Sequence, residues 1–153
     1  MSEPVFRRAT RADLAAIVDL IADDDLNGWR EQPGEPLLDG YVEAFATIDA
    51  DPNNELIIGE IDGRPVATAQ ITFLPSLTQQ GSWRSIIEGV RVSSKVRSQG
   101  VGEKLIEHML GLARARGCPT SQLTTSNPRK RAHAFYARIG FEQSHLGFKR
   151  DLT

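Results

Sequence analysis

Arg97, Gly100 and Gly102 stand in the run Arg97-Ser98-Gln99-Gly100-Val101-Gly102, a cation beside two residues without a Cβ. Such a run suits an oxyanion. Glycine lets an anion come close to the backbone, and a guanidinium offers phosphate a two-pronged donor. The elements that must position the run flank it directly. Ile86-Ile87-Glu88-Gly89-Val90-Arg91-Val92 is apolar and β-branched, the pattern of a strand. After the run, Val101, Leu105, Ile106, Met109, Leu110 and Ala113 recur at helical spacing, with Glu103, Lys104, Glu107 and Arg114 on the opposite face. A strand thus passes through a glycine-bearing turn into a helix N-terminus, where unpaired N–H groups and the positive end of the helix dipole favour phosphate. The competing reading is an ordinary strand–turn–helix joint with a solvated arginine. No Gly-Lys-Ser/Thr follows, so this is not a Walker loop, and the three-glycine spacing of the dinucleotide fingerprint is missing.

The segment resembles the pyrophosphate-binding signature of the GNAT superfamily of acyl-CoA-dependent N-acetyltransferases, Arg/Gln-x-x-Gly-x-Gly/Ala, met here by Arg97, Gly100 and Gly102. A second family segment follows at the expected distance: Asn127, then Ala132-His133-Ala134-Phe135-Tyr136-Ala137-Arg138-Ile139-Gly140-Phe141. The resemblance is specific over about residues 84–142 and looser in the N-terminal half. It implies acetyl-CoA as co-substrate, with its phosphates on the backbone of Arg97, Ser98, Gln99, Gly100, Val101 and Gly102. It further implies that Val90, Arg91 and Val92 offer backbone N–H and C=O groups to the pantetheine arm. One N–H there would polarise the thioester carbonyl, and Asn127 would bond the pantetheine amide as the facing strand ends. Asn127 also reads as a loop residue or N-cap before Pro128.

Acetyl transfer to an amine needs a neutral amine, a polarised carbonyl and a stabilised thiolate. Tyr136 is the candidate donor to the thiolate, and in similar enzymes the tyrosine of Phe-Tyr-x-x-x-Gly-Phe is the general acid. Ala132, Phe135, Tyr136 and Ile139 fall at i, i+3, i+4 and i+7, which sets the ring at the edge of a buried face. Its phenol, with a free pKa of about 10, stays protonated and ready to donate. The alternative is a tyrosine that packs its ring and wets its hydroxyl. Glu88 is the candidate base, acting through water. It lies two and four residues before Val90 and Val92, on one strand face with them unless a bulge intervenes; apolar neighbours there would raise its pKa. Against this stands a surface glutamate or a salt-bridge partner.

Asp23-Asp24-Asp25, with Trp29, Glu31 and Glu35, occupies the loop that caps the acceptor in similar folds. An acidic, aromatic lip suits a cationic amine; a solvated loop is the plainer reading. Arg129-Lys130-Arg131 and His108 read as solvated faces. The histidines have no metal-ligand spacing with a third donor, so no metal site is expected. Cys118 is the only cysteine, which precludes an intrachain disulfide and reads as a buried small residue.

Net charge is −2 over 153 residues, which disfavours general binding to nucleic acid or to an anionic membrane. No apolar run nears the roughly 20 residues of a bilayer span, and Met1-Ser2-Glu3-Pro4 lacks a signal-peptide pattern. The expectation is a cytoplasmic enzyme in a single N-acetyltransferase domain, residues 1–153.

Strands are expected at Val5–Ala9, Leu56–Ile61 and Val66–Phe73, the last two joined by Asp62-Gly63. A capping box at Thr10 and Asp13, with Asp for the usual Glu/Gln, opens a helix bearing Leu14, Ile17, Val18 and Ile21. Leu38–Ile48 forms a second helix, and the long helix ends at Gly117. Gln122–Thr125 reads as a strand, Pro128–Ile139 as a helix and Phe141–Asp151 as a closing hairpin. The order fits the family's α/β fold, a mixed, mostly antiparallel central sheet flanked by helices. The reaction expected is direct acetyl transfer to a small-molecule primary amine in a ternary complex. A protein lysine or N-terminal acetyltransferase and a non-catalytic acyl-CoA-binding regulatory module are the alternatives. Leu77–Arg84 or a C-terminal strand would support a homodimer.

Overall fold

Asp62 and Gly63 both take positive φ, 51° and 75°, the backbone of the tight hairpin turn that this dipeptide favours. It joins β2 (Asn54–Ile61) to β3 (Arg64–Leu74), the central pair of the sheet. The computed structural model describes residues 2–153 in two units, residues 2–122 and Leu123–Thr153. In the first unit, β1 (Val5–Arg8), β4 (Arg84–Val92) and the short β5 (Ser121–Gln122) complete a five-stranded sheet in the order β1-β2-β3-β4-β5. All pairings are antiparallel except that of β4 with β5. The mixed, mostly antiparallel α/β architecture is therefore present.

Helices α1 (Leu14–Ala22) and α2 (Asp39–Ala50) take one face of that sheet. Leu14, Ile17, Val18, Leu37 and Phe45 bury themselves with Ile58 of β2. The one-turn α3 (Thr78–Gly81) leaves Leu77 beside it 96% exposed. Helix α4 (Val101–Ala115) packs on β3 and β4 from the other face, with Leu105, Ile106 and Met109 wholly buried. Side chains alternate across a strand, so Ile57, Ala69, Ile71, Phe73 and Ile87 supply the sheet side of this second core layer. His108 of α4 lies against the Phe6 ring (centroids 5.4 Å apart) and is not the solvated residue expected. Its helical position faces the aromatic ring of β1, and tertiary packing overrides the local polarity of the helix face.

The capping box forms with aspartate. Asp13 accepts from the Thr10 N–H (2.7 Å) and hydroxyl (3.1 Å), and also takes both prongs of Arg7. Helix α4 ends as Gly117 predicts: at φ 76° its N–H meets Arg114 O (3.0 Å), and the Cys118 N–H meets Ala113 O (3.0 Å).

The second unit holds α5 (Lys130–Arg138), starting later than expected. Pro128 belongs instead to a turn that the Arg129 N–H closes on Ser126 O (3.0 Å). Ala132, Phe135, Tyr136 and Ile139 form its half-buried face, as their spacing predicts. Two expectations fail. The strand over Gln122–Thr125 stops at Gln122, and among the described residues no hairpin forms over Phe141–Asp151. That segment has no Asn-Gly or Asp-Gly turn, and Leu146, Phe148 and Leu152 are too sparse to build a buried face; all three are exposed. A lone hairpin is marginal in water, and this unit offers it no strand to pair with.

Candidate functional site

The turn from β4 into α4 is held open by its backbone. Ser98 (φ 63°) and Gly100 (φ 82°) take the left-handed region, and Gly100 caps the helix. A Cβ built on Gly100 would meet nothing within 4 Å, so the space above it is free for a ligand. Lys104 is the first to close on the turn, its N–H reaching Gly100 O at 3.2 Å. The N–H groups of Val101 and Gly102 precede that bond and have no carbonyl one turn back. Open space, unsatisfied donors and the helix dipole coincide, which fits a diphosphate.

Arg97 braces the turn. Its Nε donates to Val92 O (3.2 Å) and its Nη2 to Asp23 O (2.8 Å), while the Asp23 carboxylate lies 3.9 Å away and takes the Ser94 N–H at 2.8 Å. The guanidinium is a clasp across the turn, holding carbonyls on both sides of it. The Ser94 N–H, with Arg97 adding to it, holds the Asp23 carboxyl below its ordinary value.

β4 supplies an open edge. β5 pairs with it only at Ser85 and Ile86. The Ser93 N–H donates to Val66 O of β3 (2.8 Å), so by alternation the Val92 N–H points toward the edge that β5 leaves vacant. Gly89 (φ 60°) marks a bulge: Gln70 pairs with Glu88 and Thr68 with Arg91, so Ala69 of β3 stands against Gly89 and Val90 of β4. The extra residue moves Glu88 off the face of Val90 and Val92 and sets it with Arg91, on the α1 side of the sheet. Glu88 is exposed, without the apolar neighbours expected. The interrupted alternation was signalled by Gly89 inside the strand.

On that α1 side, Ile21, Asn27, Arg30, Glu31 and Arg91 line a cleft of about 180 Å³. Asp24 stands behind Arg91, its Oδ2 3.4 Å from Nη2. Two of the three aspartates read as an acidic lip are thus tied to β4 and to the turn; Asp25 stays exposed. These tethers pair residues 67 and 71 positions apart, beyond any local pattern.

In the second unit, Tyr136 packs edge-on between Phe135 (5.1 Å) and Phe141 (5.8 Å), half-buried. Asn127 is exposed in the Ser126–Arg129 turn, neither at a strand end nor the N-cap, which is Arg129. His133 bonds Ser126 O (2.9 Å). In the first unit Cys118 is buried, and burial pushes its thiol above the ordinary value. Among the described residues, no three His, Cys, Asp or Glu side chains gather as metal ligands, and no helix is long and apolar enough to cross a membrane.

The model of the acetyltransferase (GNAT) family matches residues 15–141. The chain belongs to the GNAT family of acetyltransferases. Acetyl-CoA is the acetyl donor of this GNAT enzyme. It is 29% identical over 112 residues to an aminoalkylphosphonate N-acetyltransferase of Salmonella typhimurium, a match spanning 73% of this chain and 72% of the relative. The crystal structure of a transcriptional regulator from Bacillus halodurans C-125 superposes with a TM-score of 0.94 at 44% identity, covering 98% of this chain and 100% of that one. AAC(6')-Iy bound to a CoA-S-monomethyl-acetylneamine bisubstrate analog shares the fold at 20% identity, with a TM-score of 0.79 over 99% and 100% of the two chains.

Proposed function

We propose that this GNAT protein transfers the acetyl group of acetyl-CoA to the primary amine of a small molecule, by direct attack in a ternary complex. One observation carries the reading. The open turn at Gly100, the vacant edge at Val92 and the cleft at Arg91 all lie along the C-terminal end of one strand and the turn that leaves it. Bound acetyl-CoA supplies an activated acetyl carbon with a thiolate leaving group, and the acceptor nitrogen replaces that sulfur. Val101 and Gly102 hold the diphosphate through N–H groups, helped by the dipole of α4. The Val92 N–H polarises the carbonyl. Tyr136 donates its phenolic proton to the departing sulfur, and Glu88, exposed, receives the ammonium proton through water. Asn127 stays a proposed pantetheine contact. The raised pKa of the buried Cys118 supports direct transfer over a covalent acetyl-enzyme.

The family match crosses from one unit into the other, which supports residues 1–153 acting as one N-acetyltransferase domain. The name of the Salmonella relative supports a small-molecule acceptor. A regulatory module without turnover draws support from the description of the Bacillus halodurans protein.

Thiol release from acetyl-CoA across a panel of amines and lysine peptides separates these readings. Small amines should turn over, and Gly100→Glu should abolish acetyl-CoA binding by adding a carboxylate and bulk above a φ of 82°. Wild-type affinity in a folded Gly100→Glu protein overturns the phosphate assignment. Acetyl-CoA binding without any turnover favours the regulatory module.

A further inference from the structure

Arg7 shows how an arginine is spent on structure in this fold. Both its prongs meet Asp13 (2.7 and 2.8 Å), and a third bond reaches Glu60 at 2.6 Å. Arg91 is different. Its Nη1 donates to the neighbouring Val90 carbonyl (2.9 Å), its Nη2 reaches Asp24 only at 3.4 Å, and its Nε is buried without a partner. Its side chain is 25% exposed and forms a wall of the cleft. Buried donors in native proteins are nearly all paired, so a guanidinium left short of acceptors beside an open cleft is provisioned for an anion. Arg30, exposed and seated over the Trp29 ring (5.4 Å), adds a second cation to the lining, and Glu31 adds a carboxylate. With Asp24 behind Arg91, the charges of the lining balance. That balance suits a zwitterion and opposes the polycation that three free aspartates would have drawn.

We infer that the acceptor is a small amine that also bears an acidic group, a carboxylate, phosphonate or phosphate, read by Arg91 with Arg30, while Glu31 attends the ammonium. The inference rests on the acetyl-transfer reading above for what happens to the amine, and on the cleft alone for what binds.

The test uses 2-aminoethylphosphonate, β-alanine, propylamine and 1,3-diaminopropane. Each is titrated calorimetrically against the full-length protein in the presence of CoA, and each is assayed for thiol release with acetyl-CoA. The two acidic amines should exceed propylamine by roughly 10- to 100-fold in kcat/KM, the worth of one or two charge-assisted hydrogen bonds, and diaminopropane should be poorest. Arg91→Met should collapse the ratio of acidic to neutral acceptors toward unity through KM, and Arg30→Gln should reduce it. If Arg91→Met does not fold, the wild-type series and the exposed Arg30 decide. Equal or better performance by propylamine or diaminopropane overturns the inference, as does a preference that survives both substitutions. If acidic amines bind in an Arg91-dependent way yet no amine releases thiol, the transfer reading fails and the acidic subsite stands. Brisk transfer without preference has the reverse meaning.

Discussion

At Arg97 the family signature and the physical contacts assign different work to one side chain. The guanidinium ties Val92 O to Asp23 O, so in the proposed mechanism its service to the diphosphate is to set the turn whose N–H groups are assigned to it. Arg97→Met should therefore weaken acetyl-CoA about 10-fold, the worth of one charge-assisted bond net of solvent. Asp23→Asn keeps the shape and removes the charge of a part-exposed pair, so the loss should be about 2- to 5-fold. The two changes share contacts, and the double variant should lose less than the product of the single losses. Calorimetric Kd values for the four proteins check this; strictly multiplicative losses would mean that the clasp does not exist. Changing Asp23, Asp24 and Asp25 together should then harm acetyl-CoA binding as well as the acceptor, because two of them hold the scaffold. Tyr136→Phe keeps the packing between Phe135 and Phe141 and deletes only the proton donor. Turnover should drop roughly 10²- to 10⁴-fold with cofactor affinity intact. Turnover within about twofold of wild type, measured where chemistry limits the rate, removes Tyr136 from the mechanism.

Among the elements, β4 does most to shape the site, through one residue too many. The bulge at Gly89 lets Glu88 and Arg91 share the α1 side while Val92 turns an N–H to the vacant edge. Gly89→Val has open space for its side chain, since a Cβ there meets nothing within 4 Å, but it forces a β-branched residue to a φ of 60°. The backbone strain should cost about 1–2 kcal/mol, lowering Tm by roughly 2–8 °C in a domain of this size. kcat/KM should fall further than the stability loss explains, because a straightened strand turns Arg91 away from the cleft. Thermal melts paired with kinetics separate the two effects, and a stability loss alone would demote the bulge to architecture.

For the molecule as a whole, acid should act through two groups on opposite faces of the sheet. Asp13 is held down to about 2, chiefly by Arg7, against an ordinary 3.8. Its contribution to stability is complete above the unfolded value and is lost as pH falls from about 4 toward 2. His108 is pushed below its ordinary value of 6.5 by burial, which outweighs the pull of Glu55. An unfolded chain takes up that proton first, so stability should start to fall below about pH 6.5 and keep falling until the folded ring titrates. Melting curves should show Tm declining between pH 7 and 5 in the wild type, and a flatter profile in His108→Gln. Asp13→Asn should remove the further decline between pH 4 and 2. An unaltered profile in His108→Gln would place the acid sensitivity elsewhere.

Local chemistry was enough to read the Asp62-Gly63 hairpin, the Thr10–Asp13 cap, the buried face of α4 and its stop at Gly117, because each depends on backbone preference or side-chain period within a few residues. The strand–turn–helix joint at Gly100 was legible for the same reason: the helix N-terminus and its glycines are neighbours in the chain. What tertiary structure decided lies in pairs that no window contains. Asp23 and Asp24 became tethers because the end of α1 meets the end of β4, and His108 became a half-buried ring partner because α4 lies over Phe6. Glu88 lost its apolar surroundings because β3 and β4 fall out of step at Gly89. A side chain's charge is written in the sequence, but whether that charge meets water, a ligand or a partner depends on which distant backbone folds beside it.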